Sequence, residues 1–214
     1  MAKLSRRVAL SLAFAIAGFW GLSAAVPRAE QAADPDLTRE AILNDPQAPV
    51  GGNPQGDVTV VAFFDYNCIY CMKSEPELNK LLKSDHGIRV VYKDWPIFGE
   101  VSSYAAQVAL AAKLQLKYGA VHDALLAAGA KKSSKDQVRD IAQKAGVDMT
   151  RLDADLAAHG AEIEAILKRN DKQATGMGFQ GTPVYLIGPF LVASPLDLAG
   201  FQKTVADARK RQAK

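Results

Sequence analysis

The clearest strand signal in the chain is Val58 to Asp65 (VTVVAFFD), a near-continuous apolar run bounded by turn residues, the pattern of a strand buried on both faces. Helical spacing follows as far as about Lys83, with Leu78, Leu81 and Leu82 on one face and Pro76 expected to kink the axis. Ile88 to Lys93 (IRVVYK) is a second strand, closed by Trp95–Pro96, so the unit is a β–α–β crossover with parallel strands. From Val101 to about Gly176 the pattern is helical and Ala-rich. Breaks at Gly119, Gly129, Gly146 and Gly160, with starts at Ser133 or Ser134 and at Thr150, predict four or five short helices. Strands return at Val184 to Ile187 and Phe190 to Ala193, joined by a tight Gly188–Pro189 turn. Ser194 is the expected cap of a last helix, with Pro195 at its first position and Asp197 at its third. The order is β–α–β, a helical block, then β–β–α: an α/β protein.

The N-terminal residues have a different pattern. Lys3, Arg6 and Arg7 precede an uncharged run from Val8 to Val26, and Ser23 and Ala25 fit a signal-peptidase site, so residues 1–25 are expected to be a cleaved signal peptide. An uncleaved anchor is the alternative, weakened by Gly18, Gly21 and Ser23. Arg6–Arg7 partly fits a twin-arginine signal, but Ala9 stands where that signal carries a bulky apolar residue, which favours the general secretory route. Residues 26–57 are expected to be a linker with one short helix, Leu37 to Leu43 capped by Asp36, and a Gly- and Pro-punctuated loop that packs nothing regular. The main domain is expected over 58–212, with the helical insertion at about 101–176.

Charge and cysteine content narrow the function. The formal +3 of the whole chain resides in the leader; the remainder carries 23 basic and 23 acidic residues. A neutral domain argues against nucleic acid or an anionic membrane surface as the main partner. An exported protein built on disulfide staples would scatter several cysteines; this one has two, Cys68 and Cys71. A bond between them closes a tiny loop and removes little entropy from the unfolded chain, so it is a poor staple and a good reactive pair.

A thiol acts as nucleophile or leaving group through its thiolate. Cys68, between strand end and helix start, would be favoured as the anion by free N–H groups and the helix dipole. Cys68 is therefore cast as the exposed, substrate-facing sulfur and Cys71, one turn along, as the resolving sulfur. Half a zinc site is the competing reading, but no second cysteine pair exists and His86 is the only nearby histidine. His122 and His159 are read as packing or solvated helix positions. No cofactor motif is found and no resident metal is expected.

The run Phe63–Phe64–Asp65–Tyr66–Asn67–Cys68–Ile69–Tyr70–Cys71 resembles the strand-to-helix junction of the DsbA-like thiol–disulfide oxidoreductases of the thioredoxin superfamily, as does Asn53–Pro54–Gln55–Gly56–Asp57–Val58–Thr59–Val60 upstream. Gly181–Thr182–Pro183 resembles the cis-proline loop of that fold. The resemblance covers residues 37 to 212. It implies a thioredoxin-like fold with an inserted all-helical subdomain, and a cis Pro183 that lets Thr182 present its backbone to an extended substrate beside Cys68. Ile69 and Tyr70 join Thr182 and Pro183 as expected substrate contacts, and Glu75 and Lys93 fall where the family's charge network would tune the redox pair. One position departs: the family's buried acid six residues before the first cysteine is replaced by Ala62.

The resemblance implies a periplasmic enzyme without cofactor, acting on exported client proteins with cysteines and recycled by a membrane redox partner. The leading direction is oxidation of clients. Ile69–Tyr70 carries neither histidine nor proline, which leaves isomerase or reductase chemistry open beside it. A Cu(I)-handling protein, using both thiolates with Met72 and Met177, is the alternative from another class. With one short helix at most before the domain, a monomer is expected.

Overall fold

A computed structural model gives the fold and describes residues 34–129 and 131–213. The expected signal peptide, the twin-arginine-like residues and residues 26–33 of the expected linker lie outside the described residues. Five strands form one sheet in the order β1-β3-β2-β4-β5. At its centre lie β2 (Val58–Phe64) and β3 (Ile88–Asp94), joined through α2 (Ile69–Ser84). They run parallel, with Val58 opposite Ile88 and Ala62 opposite Tyr92. β4 (Val184–Ile187) pairs antiparallel with β2, and β5 (Phe190–Val192) turns back on β4 through Gly188–Pro189 as expected. This is a thioredoxin-like sheet with a helical insertion.

Alternation along β2 and β3 sorts their side chains between two cores. Val60, Ala62, Phe64, Val90 and Tyr92 face the larger core, shared with both cysteines, α2, the inserted helices and α7 (Leu198–Gln212). Val61, Phe63 and Val91 face a smaller core with Ile42, Trp95, Ala174 and Phe179.

Several expectations are corrected. The stretch read as an irregular loop contains β1 (Val50–Gly52), antiparallel to β3. Its glycines are imposed by close approach: a Cβ on Gly51 would sit 2.8 Å from the Tyr92 ring, and Gly52 has φ 66° with the Ile88 carbonyl against it. The short helix α1 (Arg39–Leu43) is capped by Thr38, whose hydroxyl accepts the Ala41 N–H at 3.1 Å; Asp36 lies in a preceding 3₁₀ turn.

The insertion comprises α3 (Glu100–Ala112), α4 (Tyr118–Ala127), α5 (Lys135–Lys144) and α6 (Met149–Gly176). α6 is a single helix of 28 residues that runs through Gly160. A glycine costs a helix interior about 1 kcal/mol, and here Leu152, Ile163, Ile166 and Leu167 bury enough apolar surface on either side to carry it.

α7 starts later than expected, at Leu198, capped by Asp197, whose carboxylate accepts the Gly200 N–H at 2.7 Å. Ser194 and Pro195 stay outside. Leu196 is held from both sides by Ser74, which accepts its N–H at 3.0 Å and donates to its carbonyl at 2.8 Å.

Candidate active site

Cys68 is the N-cap of α2, with extended backbone (φ −78°, ψ 116°), and no side chain caps that end. The first-turn N–H groups are thereby left for an anion. Cys71 lies one turn in, and both thiols are free. The Thr182–Pro183 peptide is cis, as the resemblance implied, and brings the Thr182 carbonyl to 3.1 Å from Cys68 Sγ, which donates to it. Ile69 and Tyr70, expected substrate contacts, are about half exposed beside them, at 54% and 51%.

The expectation of an exposed Cys68 sulfur is corrected: the residue is 2% exposed, because the Thr182 loop covers it. Burial does not make it inert. The Cys71 thiol donating to Cys68 outweighs the burial that opposes the anion, and with Thr182 and the N–H groups of Cys71 and Tyr70 it lowers the Cys68 pKa to about 6. Burial first, then the Cys68 thiolate, push Cys71 far above the usual thiol range. One sulfur is held as thiolate at neutral pH and its neighbour as thiol.

Two residues that sequence reasoning left without a role frame the pair. Asp65 is buried, and its carboxylate accepts the N–H groups of Asn67 (2.6 Å), Ile97 (2.7 Å) and Phe98 (3.0 Å) and the Ser102 hydroxyl (2.8 Å). It ties the loop after β3 to the cysteine turn and leaves Ile97 and Phe98 partly exposed. Asn67 pairs with the backbone of Lys132 in both directions, accepting its N–H at 2.8 Å and donating to its carbonyl at 3.1 Å. The only advance signal was their place next to Cys68.

Glu75 is buried one helical turn beyond Cys71, with Oε1 3.1 Å from His122 Nε2. His122, read as packing, is buried, with Nδ1 3.2 Å from the Tyr66 hydroxyl. Burial disfavours its cation, yet the Glu75 carboxylate prevails and its pKa is raised. Tyr118 donates to Asp94 Oδ2 at 2.9 Å, and burial raises the Asp94 carboxyl to about 6.

Lys93 is not brought to the cysteines. It alternates onto the opposite face of β3, where its ammonium meets Asp45 at 2.7 Å and Arg169 completes the cluster at 2.9 Å from the same carboxylate. Its expected place in a redox network is corrected to an ion pair that anchors the segment before β1. The copper set also separates: Met72 packs with the cysteines, whereas Met177 packs against the smaller core. His86 lies past the far end of the 16-residue α2, roughly 24 Å along its axis, so it does not complete a zinc site with the cysteines.

A thiolate at a helix N-terminus, a buried thiol one turn on and a cis-proline loop across the pair define a thioredoxin-fold thiol–disulfide oxidoreductase. Residues 59–203 match the DSBA-like thioredoxin domain, and the chain belongs to that family. Among solved structures it is similar to a thioredoxin-like oxidoreductase from Silicibacter pomeroyi DSS-3 (42% identity, 81% of this chain and 98% of that one, TM-score 0.76). It is also similar to the thiol-disulfide exchange protein alpha-DsbA2 from Wolbachia pipientis (27%, 78% and 90%, 0.74) and to a periplasmic thioredoxin-like protein from Salmonella enterica serovar Typhimurium (27%, 79% and 94%, 0.69). A curated relative is the Na(+)/H(+) antiporter NhaA 3 of Salinispora tropica, 29% identical over 164 residues. The chain spans about a quarter of the length of the curated relatives it matches. Among the described residues no helix is long and apolar enough to cross a membrane.

Proposed function

We propose that this chain is exported to the periplasm and oxidises cysteine pairs in client proteins. The observation that carries this reading is the asymmetry of the two sulfurs. A disulfide is oxidising when its reduced form is stabilised, and a Cys68 pKa of about 6 stabilises the reduced form as a thiolate and makes Cys68 a good leaving group. In the forward reaction a client thiolate attacks Cys68 Sγ of the Cys68–Cys71 disulfide. The S–S bond breaks, Cys71 departs and takes up a proton, and a mixed disulfide forms. A second client thiolate then attacks the client sulfur, displacing Cys68 as its thiolate. The client gains one disulfide and the enzyme leaves as dithiol, to be reoxidised by a membrane redox partner.

The client segment is held against the Thr182 backbone and the half-exposed Ile69 and Tyr70. Of the expected charge pair, this reading keeps a tuning role for Glu75, buried one turn beyond Cys71. The leader residues support export, and one similar structure is described as periplasmic. The enzyme works as a monomer.

The deciding experiment is trapping the redox state of Cys68 and Cys71 in the exporting cell. A mostly oxidised pair is the expected result; a mostly reduced pair would assign isomerase or reductase chemistry instead. Copper titration of the reduced protein separates the remaining class. Stoichiometric tight Cu(I) binding without disulfide-exchange activity would make this a metal carrier.

A further inference from the structure

Three side chains of α2 and α4 converge outside the cysteine pair itself. One carboxylate oxygen each of Glu75 and Asp123 and a ring nitrogen of His122 lie within 4.8 Å of one another. We propose that Glu75, His122 and Asp123 form a binding site for a divalent transition-metal ion of the zinc class, beneath the active-site helix and open to solvent on one side.

Two of the three donor atoms are buried and, among the described residues, have only each other as partner. Glu75 Oε1 and His122 Nε2 belong to residues 5% and 1% exposed, and apart from the ion pair they make with each other at 3.1 Å neither atom has a polar partner among the described residues. A buried histidine and carboxylate that meet only each other, with a second carboxylate beside them, are placed as neighbouring ligands of one ion. With zinc–nitrogen and zinc–oxygen distances of about 2.1 Å, donors 3.1 Å apart subtend roughly 95° at the metal.

The surroundings hold each ligand as a metal site requires. The Tyr66 hydroxyl lies 3.2 Å from His122 Nδ1. Accepting the Nδ1 proton there leaves Nε2 with its lone pair free, the tautomer that ligates. Asn79, one turn beyond Glu75 on α2, donates to Asp123 Oδ1 at 3.1 Å and leaves the second carboxylate oxygen available. Asp123 is exposed, so its side chain can rotate to close the remaining gap. A cleft of about 400 Å³ between α4, β1 and the end of α2 is lined by His122, Asp123 and Asn79, and gives an ion both a route in and room for water ligands. One nitrogen and two carboxylates suit zinc-class ions over soft Cu(I).

The test is calorimetric titration of Zn²⁺ into the protein with Cys68–Cys71 oxidised, so that the thiols take no part. The expected result is one equivalent bound. Asp123→Asn, at an exposed position that leaves the core intact, should weaken binding about tenfold or more, and Tyr66→Phe should weaken it by a similar factor through the orientation of His122. In nitrogen-resolved NMR, His122 alone of the three histidines should shift on saturation. Absence of binding at millimolar Zn²⁺, binding unchanged in Asp123→Asn, or a shift at His86 or His159 instead of His122 would each overturn the site and leave Glu75–His122 as a plain buried ion pair.

Discussion

The two faces of the central sheet each go with a fully buried lysine, and the pair shows what a partner decides. On the smaller-core face Lys93 reaches Asp45 at 2.7 Å, so its charge is matched and the pair fixes the segment leading into β1. On the cysteine side Lys132 has no carboxylate in contact among the described residues. Its ammonium donates to the Leu125 carbonyl at 2.6 Å, while its backbone clasps Asn67. Burial, only partly offset by Asp65, lowers the Lys132 pKa to about 8. One face uses a buried charge to tie chain to chain, whereas the other tolerates a mismatched cation beside its reactive turn.

The strongest test of this division removes one group from each face. Cys68→Ser should reduce disulfide exchange with a model client by on the order of 10³-fold or more, because a serine hydroxyl forms no disulfide and is not ionised at neutral pH. Lys93→Met should leave the thiolate absorbance titration of Cys68 unmoved, with its midpoint still near 6. Its effect should be on stability alone, a loss of about 3 kcal/mol in denaturant unfolding, because Asp45 keeps only Arg169. A shift of the Cys68 midpoint in Lys93→Met would break the comparison by showing that charge on the far face reaches the sulfurs.

The reading of Lys93 illustrates what the sequence could and could not tell. The two central strands, the cysteine turn and the Thr182–Pro183 loop were legible, since each is written in consecutive residues. The family resemblance puts Lys93 in the charge network of the cysteines, but the period of two in β3 decides its face, and Asp45 is remote in sequence. β1 was hidden because two of its three residues are glycines that pair through backbone alone. The burial of Cys68 depends on a loop more than a hundred residues away. Glu75–His122 likewise joins two helices whose register no local pattern reveals.

Lys132→Met sharpens the other half of the comparison, with a smaller effect of opposite sign. The folded pKa of about 8 lies below the usual 10.5, so the fold disfavours the charged form. Below pH 8 both states are protonated and the full penalty applies. As pH rises from 8 to 10.5 the folded state releases its proton first, the unfolded state binds more protons, and stability climbs. Replacing Lys132 should therefore stabilise the protein at pH 7 by on the order of 2 kcal/mol, after allowing for the lost bond to Leu125. It should also flatten the pH dependence of unfolding between 8 and 10.5. Destabilisation by the same change would mean that the Leu125 bond outweighs the desolvation of the charge.

The smallest effect sought lies at Thr182, which meets the sulfur with two groups of opposite character. Its carbonyl accepts from the Cys68 thiol, while its hydroxyl is buried with no partner among the described residues. Once Cys68 ionises the carbonyl has nothing to accept, and the hydroxyl becomes a donor to the thiolate, one of the causes that lower its pKa. Thr182→Val keeps the shape and the backbone but removes that donor. The Cys68 midpoint should rise from about 6 by up to roughly one unit, and the pair should become less oxidising by up to about 30 mV in equilibrium with glutathione. The sign carries into stability. With a depressed pKa, the reduced fold has its full thiolate contribution above pH 9 and loses it as pH falls through 6, so the variant should lose it at a correspondingly higher pH. An unchanged midpoint would assign the low pKa of Cys68 to Cys71 and the helix N-terminus alone, and would leave the Thr182 loop only its part in holding the client.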